Sequence, residues 1–236
     1  MSHIVSYIKR QKENTFKEKL QHYGVSKPFY VISNAISDED LKESFQKAKL
    51  DFDHPKVRTY ESDFPLKLFW NSRVSKEKRI MSFLEALTMV KSMVDLEVYG
   101  DGNDLKKAER YAKKHNLPVR FYGRTDHTKM MERMKDAQLS VVVSYGFDNQ
   151  PMTILEARAM GLPALICDPD LLEVTGKGGI LTDGAFPAAM AKAIDNLTAN
   201  PGELEKRSQL CLDEREEILQ SVQIKKLIEL YKSLVK

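Results

Sequence analysis

The chain has 236 residues, which at roughly 150 residues per domain allows one large α/β domain with an appendage, or two small domains. Its 37 basic and 34 acidic residues leave a formal net charge of +3, which argues against a strongly basic nucleic-acid binder. The 42% hydrophobic content excludes wholesale disorder and is enough for a sizeable core.

Several classes of protein are also excluded by what the sequence lacks. No unbroken apolar run exceeds four residues, whereas a membrane span needs about twenty. The cysteines, Cys167 and Cys211, form no Cys-x-x-Cys pair, and no two histidines are close enough to chelate a metal from one helix. We therefore expect a cytoplasmic protein without a disulfide scaffold or a bound metal.

The first 64 residues contain less than a domain. Residues 4–8 form a brief apolar piece, a Lys-rich helix is predicted up to about His22, and residues 29–32 are predicted as one strand. Residues 37–64 are charged and weakly periodic, and we interpret them as a linker with at most one helix.

From residue 65 onward, short apolar runs alternate with stretches of helical period, which is typical of β-α-β units. The spacing Ile80, Phe83, Leu84, Leu87 marks one helix, and Leu227, Leu230 and Leu234 indicate a C-terminal helix expected to pack back on the body. Six strands suit a Rossmann-like, doubly wound parallel sheet of the α/β class. They are predicted over residues 66–70, 96–99, 119–122, 139–143, 163–167 and 179–181.

Ligands of such sheets bind beyond the carboxyl ends of the strands, and the segment after the first strand is unusually cationic. It carries four cations between Arg73 and Arg79, at a predicted helix start where the helix dipole is already positive. A bound phosphate would turn this repulsion into attraction. Arg73 could bind phosphoryl oxygens through two hydrogen bonds, with Lys78, one turn into the helix, as a second charge. The alternative is a set of solvated surface cations.

The segment after the fourth strand predicts a second phosphate contact. Pro151 is placed as the first helical residue, with Asp148 and its neighbours around the cap and free amides at Met152 and Thr153. Glu156 lies one turn further on and could accept hydrogen bonds from the vicinal hydroxyls of a ribose. Alternatively, Asp148 is a plain N-cap and Glu156 a surface acid.

Taken in chain order, these motifs resemble the C-terminal, donor-binding domain of the retaining group 1 glycosyltransferases of GT-B fold. The resemblance covers residues 65–236. By the same resemblance, residues 1–36 are a remnant of the family's N-terminal domain and residues 37–64 the interdomain linker. The motifs are Arg73-x4-Lys78, Gly100-Asp101-Gly102 after a strand, Gly123-Arg124, and Asp148-x7-Glu156.

The resemblance implies a hexosyltransferase that uses a nucleoside-diphosphate sugar, without a metal, to extend a glycan or glycolipid precursor. Arg73 and Lys78 would stabilise the departing diphosphate, and Asp148 would contact the donor sugar. Gly123 and Arg124 would line the base pocket, Glu156 would hold the ribose, and Met152 and Thr153 would face the phosphates. Asn149 belongs to the same donor-binding set.

This sequence departs from the commonest family pattern at three points. The first acid is Asp148 rather than glutamate, Ser72 replaces the glycine before Arg73, and Asn149-Gln150-Pro151 replaces Gly-Phe-Gly. We interpret the last change as a variant loop.

The rest of the family's N-terminal, acceptor-binding domain is not found in the sequence, so we expect weak or no transfer by this chain alone. A second hypothesis is a non-catalytic nucleotide-sugar-binding subunit that needs a partner chain.

Neither hypothesis involves nucleic acid or a transmembrane segment. The Lys-rich first helix could contact the inner face of the membrane, but Glu13 and Glu18 interrupt it and favour a solvated face. An oxidoreductase is disfavoured because no Gly-x-Gly-x-x-Gly follows the first strand. Two Asp-x-Asp triplets, at residues 51–53 and 168–170, suggest a metal-dependent transferase, but we do not favour that class.

Overall fold

A computed structural model describes residues 22–24 and 32–234 of the chain. Its six strands form one parallel sheet in the order β3-β2-β1-β4-β5-β6, which confirms the predicted doubly wound, Rossmann-like α/β fold. The strands are β1 (Leu66–Asn71), β2 (Val94–Tyr99), β3 (Val119–Gly123), β4 (Leu139–Val142), β5 (Ala164–Ile166) and β6 (Ile180–Leu181). The predicted piece over residues 4–8, the Lys-rich helix and almost all of the strand at 29–32 lie outside the described residues.

Nine α-helices and four short 3₁₀ turns connect and flank these strands in the described part of the chain. The helices are α1 (Asp38–Lys47), α2 (Ile80–Leu87), α3 (Leu105–Lys114), α4 (His127–Met134), α5 (Met152–Ala159), α6 (Leu172–Thr175), α7 (Pro187–Ala199), α8 (Pro201–Asp213) and α9 (Gln220–Leu234). The 3₁₀ turns are Lys76–Lys78, Pro169–Leu171, Gly176–Gly178 and Arg215–Ile218. No helix among the described residues is long and apolar enough to cross a membrane.

The sheet separates two buried clusters because successive side chains of β1 point to opposite faces. Leu68 and Trp70 pack on one face with Phe83 of α2 and Ile194 of α7. Phe69 packs on the other face, in the cluster that also holds residues of α4 and α5. Cys167 and Cys211 are both buried and unpaired. Side chains on both faces of β1 are thus buried, and the carboxyl ends of the strands are where a ligand site can form.

The region predicted as a linker contains one helix, and that helix packs on the domain. Ser37 caps α1 by accepting a hydrogen bond from the Asp40 amide at 3.3 Å. Leu41 and Phe45 of this helix are buried in the same cluster as Phe69. Further on, Arg58 donates to the carbonyl of Met160 at 2.9 Å. The division of the chain at residues 36 and 64 stays a prediction.

The last helix is attached at its start. The amide of Ile36 donates to Ile218 at 2.8 Å, and Ile36 accepts a bond from Gln220 at 2.9 Å, so that Ile36 and Leu219 form a parallel β-bridge. Gln223 is the one buried residue of α9, whereas Ile224, Ile228 and Tyr231 are exposed. The predicted apolar positions Leu227, Leu230 and Leu234 are half-buried, and the main neighbour of the helix among the described residues is the adjoining 3₁₀ turn. Packing of this helix along the body stays a prediction.

Candidate functional site

The candidate site lies where the strand order reverses, between β1 and β4. Lys78, in the loop after β1, places Nζ 2.6 and 2.8 Å from the two carboxylate oxygens of Asp148, in the loop after β4. Their side chains are only 13% and 12% exposed. The structure thus brings together two of the three predicted catalytic residues, 70 positions apart in sequence.

Asp148 is held by a second donor that the sequence analysis did not identify. The buried hydroxyl of Ser144 donates to Oδ2 of Asp148 at 2.5 Å, and the Phe147 ring lies 5.4 Å from Lys78 Nζ. Oδ1 of Asp148 therefore accepts a bond from Lys78, and Oδ2 accepts bonds from both Lys78 and the Ser144 hydroxyl. Ser144 could have been found from its position, since it directly follows the apolar end of a strand.

The loop that carries Asp148 is fixed from the next strand. Asp168, 5% exposed, accepts the amide of Gly146 at 2.6 Å with one oxygen and the amide of Asp170 at 3.1 Å with the other. This second Asp-x-Asp triplet thus serves as a loop anchor. Asp51, in the first triplet, accepts bonds from its own loop amides. Within the described ranges, no group of three or more His, Cys, Asp or Glu residues could hold a metal ion.

The loop that carries Arg73 is supported by the two glycines after β2. At Gly100, with φ +147°, a Cβ would lie 2.1 Å from the carbonyl oxygen of Ser72, and at Gly102 it would lie 2.4 Å from that of Val74. The sequence predicted only a turn here. The structure shows that Gly100-Asp101-Gly102 lets the two loops press against each other, because only glycine leaves the required space.

The cations of the first loop have separate roles. Arg73 is 66% exposed and lies 3.4 Å from Glu77, and the structure does not bring it against Lys78 or Asp148. Arg79 adopts φ +63° and donates hydrogen bonds to the carbonyls of Val143 and Ala185. Its side chain therefore connects the loops that follow β4 and β6. Lys78 belongs to the 3₁₀ turn before α2, so its predicted place one turn into that helix is wrong. The reason is the left-handed Arg79, which interrupts the helical backbone.

The start of α5 is open. Pro151 is the N-cap and not the first helical residue, because its ψ of 128° is extended, and no side chain caps the helix. The amides of Met152 and Thr153 have no acceptor among the residues that the structure describes. Nearby, the buried Oδ1 of Asn149 has no hydrogen-bond partner in the same part of the chain. Free amides at a helix N-terminus can bind anions, and the phosphate contact of this segment stays a prediction.

Glu156 pairs with a residue that the sequence analysis passed over. Nε2 of His127, the first residue of α4, lies 2.9 Å from Oε1 of Glu156, which is 16% exposed. This hydrogen bond raises the pKa of His127 above its usual value. Both residues and Met152 line an open cleft of about 430 Å³. A lone histidine gives little signal in sequence, although its place after β3 puts it at the functional edge of the sheet.

The predicted base-pocket residues lie at the end of β3. Gly123 has φ +66°, its carbonyl accepts the Gly100 amide at 2.8 Å, and open space surrounds the position of a Cβ. Arg124 is exposed. The role of Gly123 and Arg124 at a base pocket stays a prediction.

Comparison with known proteins identifies the family of the chain. Residues 65–200 match the family model "Glycosyl transferases group 1". A lipopolysaccharide 1,6-galactosyltransferase of Escherichia coli K12 is 28% identical over 95 residues, which are 39% of this chain and 26% of that protein. The chain therefore spans much less than the whole of the curated relative that it matches.

Solved structures show the same fold. A lipopolysaccharide outer core galactosyltransferase in its apo form superposes with a TM-score of 0.68 at 19% identity, covering 98% of this chain and 62% of that one. HepE from Anabaena, in complex with UDP and glucose, superposes with a TM-score of 0.66 at 15% identity, covering 89% and 59%. With its sheet, its switch-point site and the family match over more than half of its length, the chain belongs to the group 1 glycosyltransferases and has the fold of a GT-B C-terminal domain.

Proposed function

We propose that this chain is the donor-binding part of a retaining glycosyltransferase, which transfers a hexose from a nucleoside diphosphate to a glycan or glycolipid precursor. The observation that carries the proposal is the ion pair between Lys78 and Asp148 at the switch point. Asp148 lies in the loop that leads to the open start of α5. The names of the relatives favour an enzyme over a non-catalytic subunit. They also make UDP-galactose the first donor to test.

The diphosphate is assigned to the cationic side of the site. Lys78 and the free amides of Met152 and Thr153 supply positive charge where negative charge builds up as the glycosidic bond breaks. Arg73 is largely exposed and paired with Glu77 at 3.4 Å, so its side chain has room to turn towards the phosphates. These groups take the place of a metal ion in stabilising the leaving group, and the proposal therefore includes no metal cofactor.

The sugar and the nucleoside are assigned to the acidic groups. When Lys78 turns to the phosphate, the carboxylate of Asp148 becomes free to accept a sugar hydroxyl, while Ser144 keeps it oriented. The unpartnered Oδ1 of Asn149 offers a second acceptor in the same loop. Glu156 keeps one oxygen for the ribose while His127 holds the other, and Gly123 and Arg124 present main chain to the base.

Two further parts of the proposal concern the whole protein. Acceptor binding and efficient transfer are assigned to a further domain or partner chain, because this chain covers only 59–62% of the two solved neighbours described above. A reducing, cytoplasmic location suits the two buried, unpaired cysteines.

Isothermal titration with UDP, GDP and ADP tests the donor site. We expect saturable binding of at least one nucleotide, and its loss in the double variant Arg73→Ala, Glu156→Ala. The matched control is Arg110→Ala with Glu109→Ala, which removes the same two charges from the exposed face of α3. No saturable binding by the unaltered chain, or equal binding by the double variant, would disprove the proposed function.

A further inference from the structure

Gln150 is a buried polar residue that the proposed function leaves unused. It lies between Asp148 and Pro151, in the loop where this sequence departs from the commoner family pattern, and is only 8% exposed. A buried side-chain amide needs hydrogen-bond partners, because leaving it unpaired costs more free energy than the bond itself contributes. Its partners all come from outside its own loop.

The contacts of Gln150 reach two other parts of the chain. Its Nε2 donates to Oε1 of Glu173 in α6 at 3.0 Å, and its Oε1 accepts the backbone amide of Asn34. The same oxygen of Glu173 accepts the hydroxyl of Ser33 at 3.3 Å. Three segments are thus joined at one point: the donor loop (residues 144–151), the start of α6, and residues 32–36, which we call the incoming segment.

The incoming segment is itself fastened to the far end of the domain. Two residues after Asn34, Ile36 forms the β-bridge with Leu219, and Asp38 accepts the amide of Ser221 at 3.0 Å. The incoming segment therefore lies between the donor loop and the start of α9.

The other hydrogen bonds and ion pairs that fix the donor loop come from residues in the loops that follow the strands. Lys78 and Ser144 fix the carboxylate of Asp148, and Asp168 fixes the amide of Gly146. Among the described residues, Gln150 makes the side-chain contacts that tie this loop to the incoming segment. Gln150 is two residues from Asp148 in the same loop, a separation of at most about 7 Å along the backbone.

We propose that Gln150 is a positioning residue that links the incoming segment to the donor loop, so that the placement of residues 32–36 sets the position of Asp148. The inference rests on the proposed function for the identity of the ligand, but the link itself does not. The incoming segment then affects donor binding without touching the donor.

Hydrogen exchange followed by mass spectrometry tests the link without any ligand. In Gln150→Leu, the amides of residues 32–36 and of residues 144–149 are both expected to exchange about tenfold faster, since two hydrogen bonds are lost. The matched control is Gln138→Leu. Gln138 also bridges two segments, donating to Thr59 at 2.6 Å and accepting from Lys67 at 2.9 Å, but at the opposite end of the sheet. The control is expected to leave both peptides unchanged.

Nucleotide binding tests the consequence. We expect Gln150→Leu to weaken binding of the nucleoside diphosphate about fivefold or more, and Gln138→Leu to leave it unchanged. Glu173→Ala, at an exposed residue, removes the bonds from Gln150 and Ser33 to Glu173 and leaves the bond between Asn34 and Gln150. It therefore weakens the link at a second point and keeps the test valid if Gln150→Leu does not fold. It should show the same exchange pattern.

The outcomes are separable. Unchanged exchange in either of the two peptides overturns the link, whatever the nucleotide affinity. Faster exchange with unchanged nucleotide affinity overturns the positioning role. If the unaltered chain binds no nucleoside diphosphate, the proposed function fails, while the exchange measurement still decides whether the link exists.

Discussion

The Lys78–Asp148 pair gives the sharpest test of the site, because it should matter for stability as well as for binding. In Lys78→Met, the side chain keeps its length and loses its charge, and the carboxylate of Asp148, 12% exposed, keeps only the Ser144 hydroxyl. Breaking a fully buried pair costs about 3–5 kcal/mol, and the remaining exposure reduces this to about 2–3 kcal/mol. For a chain of this length, that lowers the melting temperature by about 5–10 °C.

A double-mutant cycle separates the pair from its surroundings. Asp148→Asn alone should also destabilise, because it leaves the ammonium of Lys78 partly buried without its counter-charge. In the double variant, neither charge remains, so we expect its loss in the free energy of unfolding to be about 2 kcal/mol smaller than the sum of the two single losses. Urea denaturation at neutral pH measures all four proteins.

The same variants connect stability to ligand binding. Lys78→Met should bind nucleoside diphosphate about tenfold or more weakly, because a charge-assisted contact to phosphate is lost. Additive single losses of stability would refute the reasoning about the pair. Unchanged nucleotide affinity in Lys78→Met would refute the role of Lys78 in holding the diphosphate.

Three further predictions concern His127, Gly100 and transfer by the chain itself. The hydrogen bond to Glu156 raises the pKa of His127, so the stabilisation is fully present below about pH 6.5 and is lost as the pH rises through the folded-state pKa. Glu156→Gln should therefore cost up to about 1 kcal/mol more at pH 6 than at pH 9 in urea denaturation, and an equal cost at both would contradict the pairing. Gly100→Ala should destabilise by about 2–4 kcal/mol, since its Cβ would lie 2.1 Å from the Ser72 carbonyl, whereas the control Gly202→Ala, in open space on α8, should be neutral or slightly stabilising. Equal melting temperatures for the two alanine variants would disprove the role of Gly100. Finally, this chain should bind nucleotide but release hexose to an acceptor slowly or not at all, which a radiolabelled UDP-galactose assay measures; rapid transfer would show that no further domain is needed.

Much of the fold could be predicted from the sequence because parallel strands are buried on both faces. Runs such as residues 66–70 and 139–143 are apolar at nearly every position, and the observed strands agree with the predicted ones to within a few residues. The positions of Lys78 and Asp148 after strands followed from the rule that ligands bind beyond the carboxyl ends of parallel strands. Their pairing depends also on the order of the strands, which places β1 beside β4 and which the β-α-β pattern does not supply.

The remaining features depend on distances that no local pattern encodes. The clash that requires glycine at position 100 involves the Ser72 carbonyl, and the partners of Gln150 come from residues 34 and 173. His127 meets Glu156 only because α4 and α5 start at the same edge of the sheet. Pro151 was misplaced by one residue because the fixed φ of proline, here −68°, suits both an extended N-cap and the first residue of a helix.

The bridge between Ile36 and Leu219 has a consequence for how this fold can be joined to other chains. Strands in such a bridge are about 5 Å apart, so the backbone returns almost to its starting point after the whole sheet has been built. Residues 36–219 therefore form a nearly closed ring, which a short linker of a few residues could complete in a circular permutant. Whatever flanks residues 36–219 in sequence therefore joins the fold at one place, outside the six-stranded sheet.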